Sequence, residues 1–241
     1  MAIRFDAAGD YLIRSANLPG NDPFSCAFWA YISVDRNAPG VWVAISDGTF
    51  TNYFLAGLSS AGDVLLIDAA GSTTNGSTLS VGTWYHVALT RNGNTKKLYL
   101  NGVLDITNTT ATTFTSALLL VGSNTVNFVN GRVAGLKVWE AELTLEEVLQ
   151  EMHTIRPARF ANLYGWWPML PGSGERARDY SGNGRDFTET GSLVDEDPPP
   201  VSWGGQSLVF PFVSDAGGDG QPTAKRFGGV KFAHKVGQGV W

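Results

Sequence analysis

Two adjacent Asn-Gly steps constrain this chain more than any other feature. The run Trp84-Tyr85-His86-Val87-Ala88-Leu89-Thr90-Arg91 alternates apolar and polar positions and meets Asn92-Gly93-Asn94. Lys97-Leu98-Tyr99-Leu100 follows, then Asn101-Gly102 and Val103 to Ile106. Asn-Gly favours the positive φ angles of a type I′ turn, so this stretch predicts two successive β-hairpins. Period-2 alternation recurs elsewhere at 8 to 12 residue spacing, as in sandwiches and barrels. Residues 24 to 34 set Phe24, Cys26, Phe28, Ala30, Ile32 and Val34 against Ser25, Ala27, Trp29, Tyr31 and Ser33, the pattern of a central strand. Further short strands are predicted at 41–47, 53–58, 64–68, 118–122, 132–139 and 163–168. One short helix is expected over 145–153, opened by Thr144 with Glu147 as a capping box. With 29 glycines, eight tryptophans and only 16% charged residues among 241, the composition suits many strands and tight turns.

Several function classes lose support at once. Cys26 is the single cysteine, so no intrachain disulfide exists, and its apolar setting reads as a small core residue. The N-terminus enters strand-like alternation directly, which predicts no signal peptide. No run approaches the ~20 apolar residues that cross a bilayer, so no membrane insertion is expected. The sequons at Asn75 and Asn108 are attributed to chance. There is no Gly-x-Ser-x-Gly elbow, no phosphate-binding Gly-rich loop and no zinc-type His/Cys spacing. His86, His153 and His234 are scattered, with His86 either hydrogen-bonding at the sheet surface or lining a groove.

Taken in order, the phrases Ile3-Arg4-Phe5-Asp6-Ala7-Ala8-Gly9-Asp10-Tyr11-Leu12, Phe24 to Trp29, the hairpin Trp84 to Gly102 and Asn130 to Trp139 resemble the laminin G-like members of the concanavalin A-like superfamily. So do Trp167-Pro168 to Gly174 and Asp179-Tyr180-Ser181-Gly182-Asn183-Gly184. The resemblance implies an all-β, two-sheet antiparallel jelly-roll β-sandwich over residues 1–195, with the 167–184 segment completing that one sandwich. Residues 196–241 then form a Pro/Gly-rich linker and an extended C-terminal arm. Many members hold calcium through an early Asp and acids in the closing strand. Here Asp6 and Asp10 are present but Ala134 and Gly135 stand where acids belong, so no cofactor is expected and calcium is kept only as an alternative.

Members of the superfamily bind glycans, bind proteins, hydrolyse glucans or serve as structural parts, so fold alone does not choose among them. Hydrolysis needs two facing carboxylates, about 5 to 9.5 Å apart. The catalytic Glu-x-Asp-x-Glu is missing; Glu140-Ala141-Glu142 lies at the helix entrance, and Asp195-Glu196-Asp197 beside three prolines reads as a solvated turn. No enzyme activity and no catalytic residues are therefore expected. The candidate binding residues, for a glycan or a partner, are Trp29, Tyr31, Asn52, Tyr53, Trp84, His86 and Tyr99; the bland alternative is that these rings cover a sheet or a subunit.

The expected setting is a phage virion, as a head decoration or tail accessory in contact with capsid or tail subunits and forming a homo-oligomer. The alternatives are a carbohydrate-binding module of a cellular glycan-processing system and, behind it, a glycoside hydrolase. Support comes from the arm, which resembles tails of phage structural proteins. Lys225, Arg226, Lys231 and Lys235 give residues 224–241 four positive charges and no acid on a chain of net charge −5. Four charges are few for nucleic acid. With Phe227, Phe232 and Trp241 interleaved, the arm is expected to dock on a partner as an added strand.

Overall fold

The computed structural model describes residues 1–7, 9–15, 23–33, 40–47, 53–68, 72–111, 117–123 and 127–201. The arm residues Lys225, Arg226, Phe227, Lys231, Phe232, Lys235 and Trp241, and Asn52, lie outside the described residues.

Fifteen strands and one helix are present among the described residues. In chain order these are β1 (Ala2–Phe5), β2 (Tyr11–Ser15), β3 (Phe24–Ile32), β4 (Gly40–Ser46), β5 (Tyr53–Leu58), β6 (Asp63–Asp68), β7 (Ser72–Thr78) and β8 (Trp84–Asn92). They continue with β9 (Thr95–Leu100), β10 (Val103–Asn108), β11 (Leu118–Val121), β12 (Gly131–Trp139), α1 (Leu145–Met152), β13 (Leu163–Trp167), β14 (Thr188–Thr190) and β15 (Val194–Glu196). The first sheet has eight strands in the order β10-β9-β8-β3-β12-β1-β15, with β13 also paired to β12; the second has seven, β14-β2-β11-β4-β5-β6-β7. All the pairings are antiparallel. Strands β13, β14 and β15 join the same two sheets, so the 163–196 segment completes one sandwich.

Alternation fills the space between the sheets. Phe24, Cys26, Phe28, Val87, Leu89, Val133 and Val138 from the first sheet meet Leu12, Trp42, Ile45, Phe54, Leu66 and Val121 from the second. Phe24 packs edge-on against Phe54, with ring centroids 5.1 Å apart, and Trp42 and Trp167 are fully buried. Cys26 belongs to this core, where burial pushes its thiol up to about 12 and leaves it inert. On the far side of the second sheet, Ile13, Leu120, Ala44, Leu55 and Ile67 lie in register as an aliphatic row.

The hairpins follow their turn residues. Asn101 and Gly102 both take positive φ, 50° and 77°, as a type I′ turn requires. The preceding turn pivots on Gly93-Asn94, since Asn92 pairs with Thr95, and only Gly93 (φ 55°) is left-handed. At both lateral margins, side chains tie the sheets together. Asp105 on β10 accepts from the Ser77 backbone at 2.9 Å and from its hydroxyl at 2.5 Å. Opposite, Arg176 meets Glu189 of β14 at 3.6 Å and Asp195 of β15 at 3.0 Å. Asp195-Glu196, expected as a solvated turn, forms an edge strand paired to β1, with Arg176 beside Asp195 and Arg4 and Arg132 beside Glu196.

The helix caps the outer face of the first sheet. Ala27 and Ala88, paired side by side, leave room for Val148 and Leu143 to pack down beside Trp139 and Tyr99. Thr144 accepts the Glu147 N–H at 3.2 Å while the Glu147 carboxylate accepts the Thr144 N–H at 2.9 Å. Thr144→Ala is expected to lower stability by about 1 kcal/mol, read as a shift of the urea midpoint at constant slope.

Candidate functional site

The outer face of the first sheet is where the predicted aromatic residues converge, and the helix divides it in two. Trp29, Tyr31, Trp84, His86 and Tyr99 share that face, because Tyr31 pairs with Trp84 and Trp29 with His86 across β3 and β8. Under α1 and the 153–159 connection, Trp29 is 8% exposed, Tyr99 6% and His86 0%. Three of the seven candidate residues are therefore buried: Ile155 packs against Trp29, Leu143 and Val148 pack with Tyr99, and His86 is fully enclosed. Tyr53 opens β5, paired with Ser46 in the other sheet, and so does not join this group.

The covered half holds a buried polar cluster, His86, Lys137 and Glu151. Lys137, on the same face of β12, points its ammonium at Glu151 (2.6 Å to Oε2) and donates also to the carbonyls of Glu151 (3.1 Å) and Thr154 (2.8 Å). Glu151 Oε1 accepts the N–H groups of Ala158 (2.8 Å) and Arg159 (3.0 Å). All three ammonium protons and both carboxylate oxygens are thereby used. Burial holds Lys137 below its ordinary value despite the carboxylate beside it. The His86 ring lies 5.4 Å from Trp29, and neither of its nitrogens finds a hydrogen-bond partner. Burial first, then the charges of Lys137 and His153, bring its pKa down to about 3, so the imidazole is neutral. This replaces the expectation of a surface or groove histidine.

The open half begins at Tyr31 and Trp84, both partly exposed. Their rings sit 5.3 Å apart and inclined at 54°. Arg132 of β12 lies over the Tyr31 ring, 4.6 Å from its centroid, a cation–π contact. Sequence reasoning missed Arg132, because its relation to Tyr31 runs through strand pairing and not through local spacing.

Residues 6–149 match the family model described as the concanavalin A-like lectin/glucanases superfamily. The chain belongs to that superfamily. No curated protein sequence matches it. Among solved structures, it is similar to a protein of Bacteroides ovatus provisionally assigned as carbohydrate binding, at 14% identity and a TM-score of 0.59, covering 83% of this chain and 62% of that one. It is also similar to the heptameric SAP-like pentraxin of Limulus polyphemus, at 15% identity and a TM-score of 0.54, covering 80% of this chain and 93% of that one. At such identities the likeness is one of fold: a lectin-like β-sandwich.

The residues that the concanavalin A-like resemblance connects with calcium have other work here. Asp6 pairs with Arg4 at 3.0 Å. Asp10 is buried and ties two turns together, accepting from Ala7 N–H at 3.1 Å and Ser192 N–H at 2.8 Å. Gly135 sits at the bulge where β12 slips against β3, with φ 61°, and a Cβ there would stand 3.0 Å from Ile155. A carboxylate at that position would meet a strained backbone and the packing beneath the helix. The Asp179-to-Gly184 phrase is likewise a folding device. Asp179 accepts from the N–H groups of Trp166 (3.1 Å), Ser181 (2.9 Å) and Arg185 (2.9 Å) and closes its loop on β13.

Proposed function

We infer that this chain is a non-catalytic carbohydrate-binding domain in which Tyr31 and Trp84 stack against sugar rings. The observation that carries this reading is the inclined Tyr31–Trp84 pair, left partly exposed beside the helix on the face where Trp29, His86 and Tyr99 are buried. Ring faces with adjacent guanidinium and carboxylate groups suit a ligand that is apolar on its ring face and hydroxylated at its rim. The lectin-like fold, shared with a Bacteroides protein assigned to carbohydrate binding, supports it. A binding role without turnover is supported by the engagement of the acids along this face: Asp6 and Glu196 are held by Arg4. Glycoside hydrolysis needs an acid and a second carboxylate free to act across a sugar.

The test is a glycan array probed with the full chain. Tyr31→Ala and Trp84→Ala should each weaken the glycan found by about tenfold, equivalent to ~1.4 kcal/mol, with Tyr31→Ala leaving the melting temperature nearly unchanged. Binding that survives both substitutions would place the ligand elsewhere, and release of reducing sugar from the bound glycan would make the chain an enzyme.

The setting we infer is the surface of a phage particle, supported by the cationic, aromatic-rich sequence of residues 224–241. Deleting residues 214–241 should leave the sandwich folded and abolish incorporation into particles; incorporation at the wild-type level would show that the arm does not dock the chain, and absence of the full chain from particles would favour a cellular glycan-processing system.

A further inference from the structure

The open half of the face continues past the two rings. Trp84, Tyr31, Arg132 and Arg4 stand on four successive strands, β8, β3, β12 and β1, in one cross-strand line: Trp84 pairs with Tyr31, Tyr31 with Arg132, and Arg132 with Arg4. Three interstrand gaps make this line about 14 Å long. Glu196 of β15 closes its far end and bridges both guanidiniums, with Oε1 3.1 Å from Arg4 and Oε2 3.3 Å from Arg132. Asp6 lies 3.0 Å from Arg4 on the other side. The charged side chains stay within reach of solvent, at 37% exposure for Arg4, 22% for Arg132 and 20% for Glu196.

Two features of this line bear on what it would hold. The Tyr31 ring and the Glu196 carboxylate fix Arg132 from two sides, so its guanidinium is placed in advance and little side-chain freedom is lost when a ligand meets it. The two cations are matched by two carboxylates, so the line carries donors and acceptors in alternation but no net charge. An anionic ligand would compete with Glu196 and Asp6 for the same guanidiniums and be repelled by both. A sugar hydroxyl donates and accepts at once, and it can bridge an arginine N–H and a carboxylate oxygen without displacing either.

Resting on the carbohydrate-binding reading above, we propose that Trp84, Tyr31, Arg132, Glu196 and Arg4 form one extended subsite selective for an uncharged oligosaccharide. Sugar rings lie against Trp84 and Tyr31, and successive hydroxyls are bonded by Arg132, Glu196 and Arg4. Glu196 is the specificity-determining residue, since it bridges both arginines and, together with Asp6, cancels their charge, which excludes carboxylated or sulfated sugars.

The experiment is the same full chain on an array that displays neutral oligosaccharides beside uronic acid-containing, sialylated and sulfated ones, followed by calorimetric titration with the best neutral probe and its nearest acidic counterpart. The neutral probe is expected to bind about tenfold tighter or more. Glu196→Gln keeps the side-chain shape, removes one negative charge and should narrow that preference by raising affinity for the acidic probe; Arg132→Ala should weaken the neutral probe. An acidic glycan bound as tightly as the neutral one by the wild type overturns the proposal while the carbohydrate-binding reading stands. So does neutral-glycan binding that needs Trp84 but is unchanged in both Arg132→Ala and Arg4→Ala. An array without any bound glycan overturns both.

Discussion

Lys137→Met is expected to lower the unfolding free energy by about 3–5 kcal/mol, and the double substitution Lys137→Met/Glu151→Gln to recover at least half of that loss. The Lys137–Glu151 pair is fully enclosed, with side-chain exposures of 2% and 0%. Removing the ammonium alone leaves a carboxylate in hydrocarbon facing only the Ala158 and Arg159 N–H groups. Replacing Glu151 by Gln in the same chain removes the stranded charge. The amide oxygen still accepts from those two N–H groups, and the amide nitrogen can turn toward the Thr154 carbonyl vacated by Lys137. Because the intact pair already carries the cost of burying two charges, an uncharged replacement is penalised far less than a half-pair. A double-mutant cycle by urea denaturation measures the coupling. A loss below 1 kcal/mol for Lys137→Met would mean that water reaches Glu151 and that α1 is not pinned to the sheet through this contact.

That pair also marks where the sequence stops being readable. Local chemistry was legible: Asn101-Gly102 turns with two positive φ angles, and Thr144 with Glu147 starts the helix, because each device involves residues within one turn. Alternation placed Trp29, Tyr31, Trp84, His86 and Tyr99 on one face correctly. It could not say that the helix would settle over Trp29, His86 and Tyr99 and leave Tyr31 and Trp84 partly exposed. That outcome depends on Ala27 and Ala88 meeting side by side and on Lys137 finding Glu151, contacts between residues distant in sequence. Strand β7, Ser-Thr-Thr-Asn-Gly-Ser-Thr, has no apolar period to betray it and is held partly by Asp105 and Asn108 of β10. Strand β15 was hidden for the same reason: its acids look solvated until Arg4, Arg132 and Arg176 are brought beside them.

The second large effect is on the pH dependence of stability, and it belongs to His86. In the unfolded chain an imidazole takes up its proton near pH 6.5. In the folded chain the pKa is about 3, because the ring is buried and lies near Lys137 and His153. Between those values the unfolded state binds more protons than the folded one, so stability falls as pH falls, from about 6.5 downward. The expected loss is about 2 kcal/mol between pH 7 and pH 5 and would reach about 4–5 kcal/mol near pH 3. The upper part of this window is the informative one. Glu147 and Glu175, both held below the ordinary carboxylate value, lose their contributions only once pH falls through their folded pKa values. His86→Phe keeps a flat ring against Trp29 and removes the titrating nitrogens, so its stability should change far less between pH 7 and pH 5 than that of the wild type. The two chains are compared by urea denaturation at half-unit pH steps. Parallel pH profiles would show that His86 is solvated or hydrogen-bonded in solution; a wild-type chain that loses about 2 kcal/mol more than His86→Phe over those two units would show that the folded protein keeps this imidazole neutral beneath its helix.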